Sequence, residues 1–380
     1  MKFRLFFLLI FFLSQACAQD SAGAKRLIKK LSSSKFYGRG YTKKGVNKAA
    51  DFLAFKFSVL GLKSYNGSYH QPFEISVNTF PGKVKLKLNN ERVKSGRDYI
   101  LNPASKSLKA EGKLIQTGAG FFTDSSKSFK LFIEPKLTWS VSQKVADFTE
   151  VRIDSTRVKT DPRTYKVNIQ NKFFKKYKIA NVAGFVPGTE RPDSILVITA
   201  HYDHLGGMGK RTYFPGANDN ASGTSMLLEL AKCYAKKPLR YSVAFICFAG
   251  EEAGLLGSKY FIENPLFDLS KVRFLINLDM VGTGETGITV VNSTALTNEF
   301  GLFNDINNQR NYLTKINKRG NTANSDHYWF TQKGVPAFFI YTTGGIKAYH
   351  DIYDKAQTLP LTEFNDLSKL IKEFYFELSR

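Results

Sequence analysis

"YSVAFICFAGEEAGLLGS", residues 241–258, joins an uninterrupted apolar run, Tyr241–Phe248, to a stretch that reads as the start of a helix. Glu251 and Glu252 sit side by side at the join. A run of this length without polar alternation fits a strand buried on both faces. The texture recurs in "SILVITA" (194–200), "VRFLINL" (272–278) and "PAFFIY" (336–341). Helical patterns such as "ASGTSMLLELAKCYAKK" (221–237) and "LTEFNDLSKLIKEFYFELS" (361–379) lie between or after these runs. Strands alternating with helices predict an α/β fold: a mixed, largely parallel sheet with helices on both faces.

Further out, Ala49, Leu53, Phe57 and Leu60 recur at helical spacing and end at Gly61, predicting an amphipathic helix within an N-terminal helical part, 19–80. From 81 to 175 the texture changes to short alternating segments, "KVKLKLN", "GKLIQTG", "KLFIE" and "TYKVNIQ", broken by Asn, Gly, Ser and Pro. That pattern predicts a small β-rich inserted module, with the main α/β domain over 176–380. Residues 1–18 carry Lys2 and Arg4, an apolar run Leu5–Leu13 and the small-residue pattern Ala16-Cys17-Ala18, which is the plan of a secretory signal cleaved after Ala18. Cys17 leaves a second route open, as the lipid-modified first residue of an anchored envelope form. The expected location is periplasmic or secreted.

Cleavage leaves only Cys233 and Cys247, both in apolar stretches, so no disulfide framework is implied. The formal charge of +23 falls to +21 once Lys2 and Arg4 leave, which favours anionic surfaces such as an outer envelope. Basic residues are spread in pairs rather than gathered in a recognised motif, which argues against nucleic acid.

In an open α/β sheet, ligands bind at the carboxyl ends of the strands, and this chain's unusual polar residues fall there. "HYDHLGG" follows "SILVITA", bringing His201, Asp203 and His204; Asp219 opens a helix in "GANDNASG"; Glu251 and Glu252 follow "YSVAFICF"; Asp279 follows "VRFLINL"; and "YHDIYD" supplies Tyr349, His350 and Asp354. Each has a plain structural reading, as a helix cap, a framework histidine or a solvated first turn. Delivered together to one sheet edge, they form a like-charge cluster that needs cationic compensation, and a divalent metal supplies it. Imidazole with carboxylate suits zinc first, then manganese or cobalt. Asp203 and Asp354 are placed in sequence to accept the second ring N–H of His201 and His350. Two zinc ions bring +4 against −3 from Asp219, Glu252 and Asp279, and a hydroxide closes the balance. Consecutive side chains diverge at a turn, so Glu252 can bind metal while Glu251 reaches the water as general base. An ionised Glu251 leaves a surplus negative charge suited to a substrate ammonium.

Through "AHYDHLG", "GANDNASG", "FAGEEAGLLGS", "NLDMVG", "SDHYWF" and "YHDIYD" the chain resembles the M28 family of zinc-dependent exopeptidases, the aminopeptidase group with two co-catalytic metals. The resemblance implies that His201 and Asp279 hold one zinc, Glu252 and His350 the other, and that Asp219 bridges them. It implies a general base at Glu251 and, for Tyr349, either help to the tetrahedral oxyanion or simple packing. Asp326 and His327 match supporting positions. The segment 81–175 stands where many members carry a protease-associated insert but lacks the recognisable centre of that insert. The implied activity is hydrolysis of the N-terminal bond of peptides with a free amino terminus. The competing expectations are a glutaminyl cyclase of the same fold and a non-catalytic peptide-binding protein. Asp219-Asn220 and the unbroken ligand set favour the two-metal hydrolase; oligomeric state is left open.

Overall fold

The computed structural model describes residues 21–158 and 160–380. The signal expected over 1–18, with the lipid-anchor alternative at Cys17, lies outside them. Among the described residues no helix is long and apolar enough to cross a membrane.

A nine-stranded mixed sheet forms the frame. At its centre Tyr241–Phe248, Arg191–His201, Val272–Leu278 and Ala337–Thr342 run parallel in that spatial order. Antiparallel strands extend it: Lys172–Val186 beside Tyr241–Phe248, and Ile288–Val291 beside Ala337–Thr342. The apolar runs are continuous because alternate side chains enter two separate cores. Leu196, Ile198, Phe245 and Cys247 pack with the helices Gly45–Val59, Gly223–Lys236, Thr297–Arg310 and Phe364–Leu378. Val197, Ala244, Ile246 and Phe248 face Leu256–Glu263 and His327–Gln332 on the other side. Among the described residues, Cys233 and Cys247 are both buried and neither forms a disulfide.

Ala49, Leu53 and Phe57 are buried on Gly45–Val59 as their spacing predicts, and Gly61 follows with φ +75°. The N-terminal part is not helical throughout. His70–Thr79 is a ten-residue strand in which Gln71, Phe73, Ile75 and Val77 are buried in alternation, and it pairs antiparallel with Lys172–Val186.

Beyond the far end of this ribbon the chain builds two further sheets, one of five strands and one of four. Leu86, Tyr99, Phe129, Leu131, Val151 and Tyr165 centre their common core. Leu205, Met208 and Phe214, from the loop after Arg191–His201, enter the same core, so it seals the sheets onto the main domain beside the strand ends that carry the polar residues.

Candidate active site

Four of the expected residues arrive directly from the parallel strands or the turns that leave them. His201 ends its strand, Asp279 follows Leu278, and Glu251 and Glu252 follow Phe248 by three and four positions. The pair does not start a helix, because Leu256–Glu263 begins four residues later. Gly250, Gly254 and Leu255 adopt positive φ and hold a tight turn in between. Asp219 lies in the turn Ala217–Ser222 before Gly223–Lys236. There Asn220, not Asp219, takes the N–H of Gly223 (2.9 Å), which leaves the Asp219 carboxylate to the site.

The geometry divides around Asp219. His201 Nε2 lies 3.4 Å from Asp219 Oδ1 and 3.3 Å from Asp279 Oδ1. His350 Nε2 lies 3.1 Å from Asp219 Oδ2 and 3.2 Å from Glu252 Oε2. One carboxylate thus gives one oxygen to each histidine. Tetrahedral zinc with bonds of about 2.0–2.1 Å sets neighbouring ligand atoms about 3.3 Å apart, so these donors have the spacing of ligands around an ion. The tautomers agree. His201 Nδ1 lies 3.2 Å from the carbonyl of Asp203 and His350 Nδ1 lies 2.9 Å from that of Trp139. A carbonyl can only accept, so each ring donates from Nδ1, which leaves Nε2 as the nitrogen that would meet an ion. The residues fit zinc. Glu251 also converges with His201 and Asp279.

The electrostatics describe a negative cluster holding protons on its histidines. Burial opposes charge on His201, yet Asp279 and Glu251 raise its pKa well above the ordinary value. His350 is raised to about 11, with Glu252 and Asp219 outweighing burial. Glu252 is held down at about 2: burial and Asp219 push upward, but His350 and His204 prevail. Asp219 is lowered too, by the three surrounding histidines against burial. Glu251 is raised well above the usual range by burial and by the carboxylates of Glu252, Asp279 and Asp326, against the pull of His201.

The supporting roles differ from those the spacing suggested. Asp203 receives His201 through its carbonyl; its carboxylate is 3.8 Å from Nδ1 and instead accepts from Tyr41 Oη (3.0 Å) and the N–H of Glu251 (3.1 Å). Asp354 does not touch His350. It accepts the backbone N–H groups of Asn218 (2.8 Å) and Asp219 (3.0 Å), fixing the Asp219 turn, and burial lifts its pKa to about 6. Ser325 donates to Asp279 Oδ2 at 3.1 Å and accepts from Asn277 at 2.8 Å. Asp326 accepts from Ser258, and neither it nor His327 joins the inner set. The Tyr349 ring stacks on His350, centroids 3.9 Å apart, and is 40% exposed.

Three contributors had no role assigned from sequence. His204 brings Nδ1 to 2.6 Å from Glu252 Oε1, the oxygen turned away from His350. Trp139, in the inserted module, holds His350 twice, accepting from its ring and donating its N–H to the His350 carbonyl at 2.9 Å. Arg39 is fully buried and spends all five donors on carbonyls: Tyr202 (2.8 Å), Leu31 (3.1 Å), Pro215 (2.8 Å), Gly216 (2.7 Å) and Asp219 (3.0 Å). Burial lowers its pKa to about 10, so it stays cationic at neutral pH beside Asp219 and Asp354. The signal available was the flanking glycines. A Cβ at Gly38 would lie 2.3 Å from the Gly206 carbonyl, and one at Gly40 2.4 Å from Gly206 Cα.

The model of peptidase family M28 matches residues 181–375, just over half of the chain and all of the inner set. The chain belongs to peptidase family M28. A probable leucine aminopeptidase of Arthroderma otae is 30% identical over 215 residues, 54% of this chain and 59% of that one. A probable zinc metalloprotease of Leptosphaeria maculans is 39% identical over 114 residues, 29% of this chain and 26% of that one. The chain thus spans from about a quarter to three fifths of these curated relatives' lengths. Among solved structures, a zinc aminopeptidase of Bacillus subtilis superposes with a TM-score of 0.71 at 19% identity, covering 95% of both chains. That likeness is one of fold.

Proposed function

We propose that this M28 chain is a metal-dependent aminopeptidase that removes the N-terminal residue of peptides, with two zinc ions and Glu251 as general base. The observation that carries this reading is the division of the Asp219 carboxylate between His201 and His350, which would let one carboxylate bridge two adjoining ions. His201 and Asp279 would hold one ion, His350 and Glu252 the other. Zinc there would supply Lewis acidity toward the scissile carbonyl and a water of lowered pKa. Glu251, which converges with His201 and Asp279, would take the proton of the attacking water and return it to the leaving amine. Burial and the neighbouring carboxylates raise the Glu251 pKa; zinc ions beside it would draw it back toward the ionised form, and that carboxylate would then favour a substrate ammonium. His204 and Trp139 keep Glu252 and His350 aimed, and Tyr349 covers His350 from the open side.

The test is a peptide series with free and acetylated amino termini, assayed before and after chelation and after zinc is returned. Free peptides should be cleaved, acetylated ones spared, and chelation should abolish turnover until zinc is restored. Equal hydrolysis of both forms, or full activity in metal-free protein, refutes the proposal.

A further inference from the structure

A groove of about 1290 Å³ lies between the four-stranded sheet of the inserted module and the hairpin Gly207–Met208/Thr212–Tyr213 of the main domain. Among the described residues its lining holds nine lysine or arginine side chains and a single carboxylate, Glu111. The charges are in register. Arg92 pairs across strands with Lys87, Lys87 with Lys166, and Lys166 with Glu111, to which it is also ion-paired. The next row runs Lys85, Asn168, Lys109. Like charges directly opposite on neighbouring strands destabilise a sheet, and here three cations stand in one row with Lys210 and Arg211 facing the same groove. An anionic occupant relieves that repulsion.

The groove's lining approaches the turn that follows His350. Ser95 Oγ and Thr212 Oγ1, both in its lining, are 2.7 Å apart. A Cβ on the neighbouring Gly96 would meet Thr212 Cγ2 at 2.5 Å and Ile352 Cγ2 at 3.0 Å, and Ile352 is two residues from His350. Thr212, in the groove's lining, thus lies close to the turn that carries a proposed ligand.

We infer that this groove receives the acidic downstream segment of a peptide substrate, so that the enzyme prefers peptides rich in Asp and Glu beyond the cleaved residue; this rests on the aminopeptidase reading above. Four strands about 4.8 Å apart present roughly 14 Å of sheet, which an extended chain crosses in about four or five residues at about 3.3 Å each. Two other anionic partners fit less well. Among the described residues, none of the large exposed apolar side chains lines the groove, so it has nothing to insert into a bilayer. No aromatic ring lines it either, so bases of a single strand have nothing to stack on.

The experiment compares peptides sharing the same first three residues, followed by six Glu, six Gln or six Lys, in the full chain loaded with zinc. The wild type and the triple variant Lys85→Glu, Lys87→Glu, Arg92→Glu are measured side by side. The Glu tail should raise kcat/KM about tenfold over Gln, mainly through KM, with the gain shrinking as salt is added. The triple variant should lose or reverse that preference while hydrolysing an aminoacyl anilide at the wild-type rate. Anisotropy of a labelled Glu-tailed peptide reads binding without turnover, so a protein that binds the tail but cleaves nothing sinks the aminopeptidase reading and leaves the groove standing. Equal kcat/KM on Glu and Gln tails in the wild type, or a preference that survives the triple variant, overturns the inference. So does tail-independent cleavage combined with groove-dependent binding to phosphatidylglycerol vesicles.

Discussion

Replacing Arg39 by lysine keeps a cation in place but removes the fork. The guanidinium's five N–H groups reach five carbonyls, and an ammonium has three donors. At least two carbonyls therefore lose the guanidinium in a fully buried position, and since only Gly216 is shown with another donor, Ala221, at least one is left without a partner. At about 1–3 kcal/mol for each unsatisfied buried group, Arg39→Lys should cost about 1–6 kcal/mol, a large share of the 5–15 kcal/mol that holds an ordinary domain. Arg39→Met, with no donors and no charge, should cost more. The loss is also local, because Pro215, Gly216 and Asp219 supply three of the five acceptors and lead into the bridging carboxylate. Zinc should consequently be held more weakly, by about tenfold for each 1.4 kcal/mol that reaches the Asp219 turn. Urea midpoints give the first quantity, and zinc content after dialysis against a graded chelator gives the second. An Arg39→Lys protein that unfolds within 1 kcal/mol of wild type and retains zinc equally well refutes the claim that the fork, rather than the charge, organises this turn.

Two further outcomes are expected. Glu251→Gln should lower kcat by about 10² to 10⁴-fold with zinc content unchanged, whereas Glu252→Gln should reduce zinc occupancy; metal analysis beside kcat decides, and a swap of the two phenotypes reverses the assigned roles. In the inserted module, buried Asp98 accepts from the N–H of Lys94 (2.8 Å) and pairs with Arg97 and Arg157. Burial pushes its pKa up, but these partners hold it below the usual value. A lowered folded pKa adds stability that is present above the unfolded value and lost as pH falls through the folded one. Asp98→Asn should therefore destabilise by about 1–2 kcal/mol at pH 7, with the gap closing below about pH 4, and a gap constant from pH 7 to pH 3 in urea titrations tells against the pairing.

The central strands and the convergence of His201, Asp219, Glu252, Asp279 and His350 were legible from sequence for one physical reason. A strand buried on both faces needs an unbroken apolar run, and a buried group of carboxylates and histidines needs a cation, so residue type alone exposes both. His70–Thr79 was legible in principle through its alternation, but it lies in a stretch whose stronger signal is the helix Gly45–Val59. The parts that aim the ligands were not legible. Asp354 lies four residues after His350 and looks like its acceptor, yet the carboxylate turns to the N–H groups of Asn218 and Asp219 while a backbone carbonyl more than two hundred residues away takes the imidazole proton.

That carbonyl belongs to Trp139, and any residue type could offer it. What selects tryptophan is the anchoring of its ring, which stacks on Phe214 at 4.5 Å and donates from Nε1 to the Leu101 carbonyl at 2.8 Å. Phe214 follows the hairpin after His201, and Leu101 ends the strand Tyr99–Leu101 of the module. One side chain thus fixes the module against the main domain, while the same residue's backbone fixes the ring of His350. The inserted module is therefore part of the geometry around His350 rather than an appendage to it.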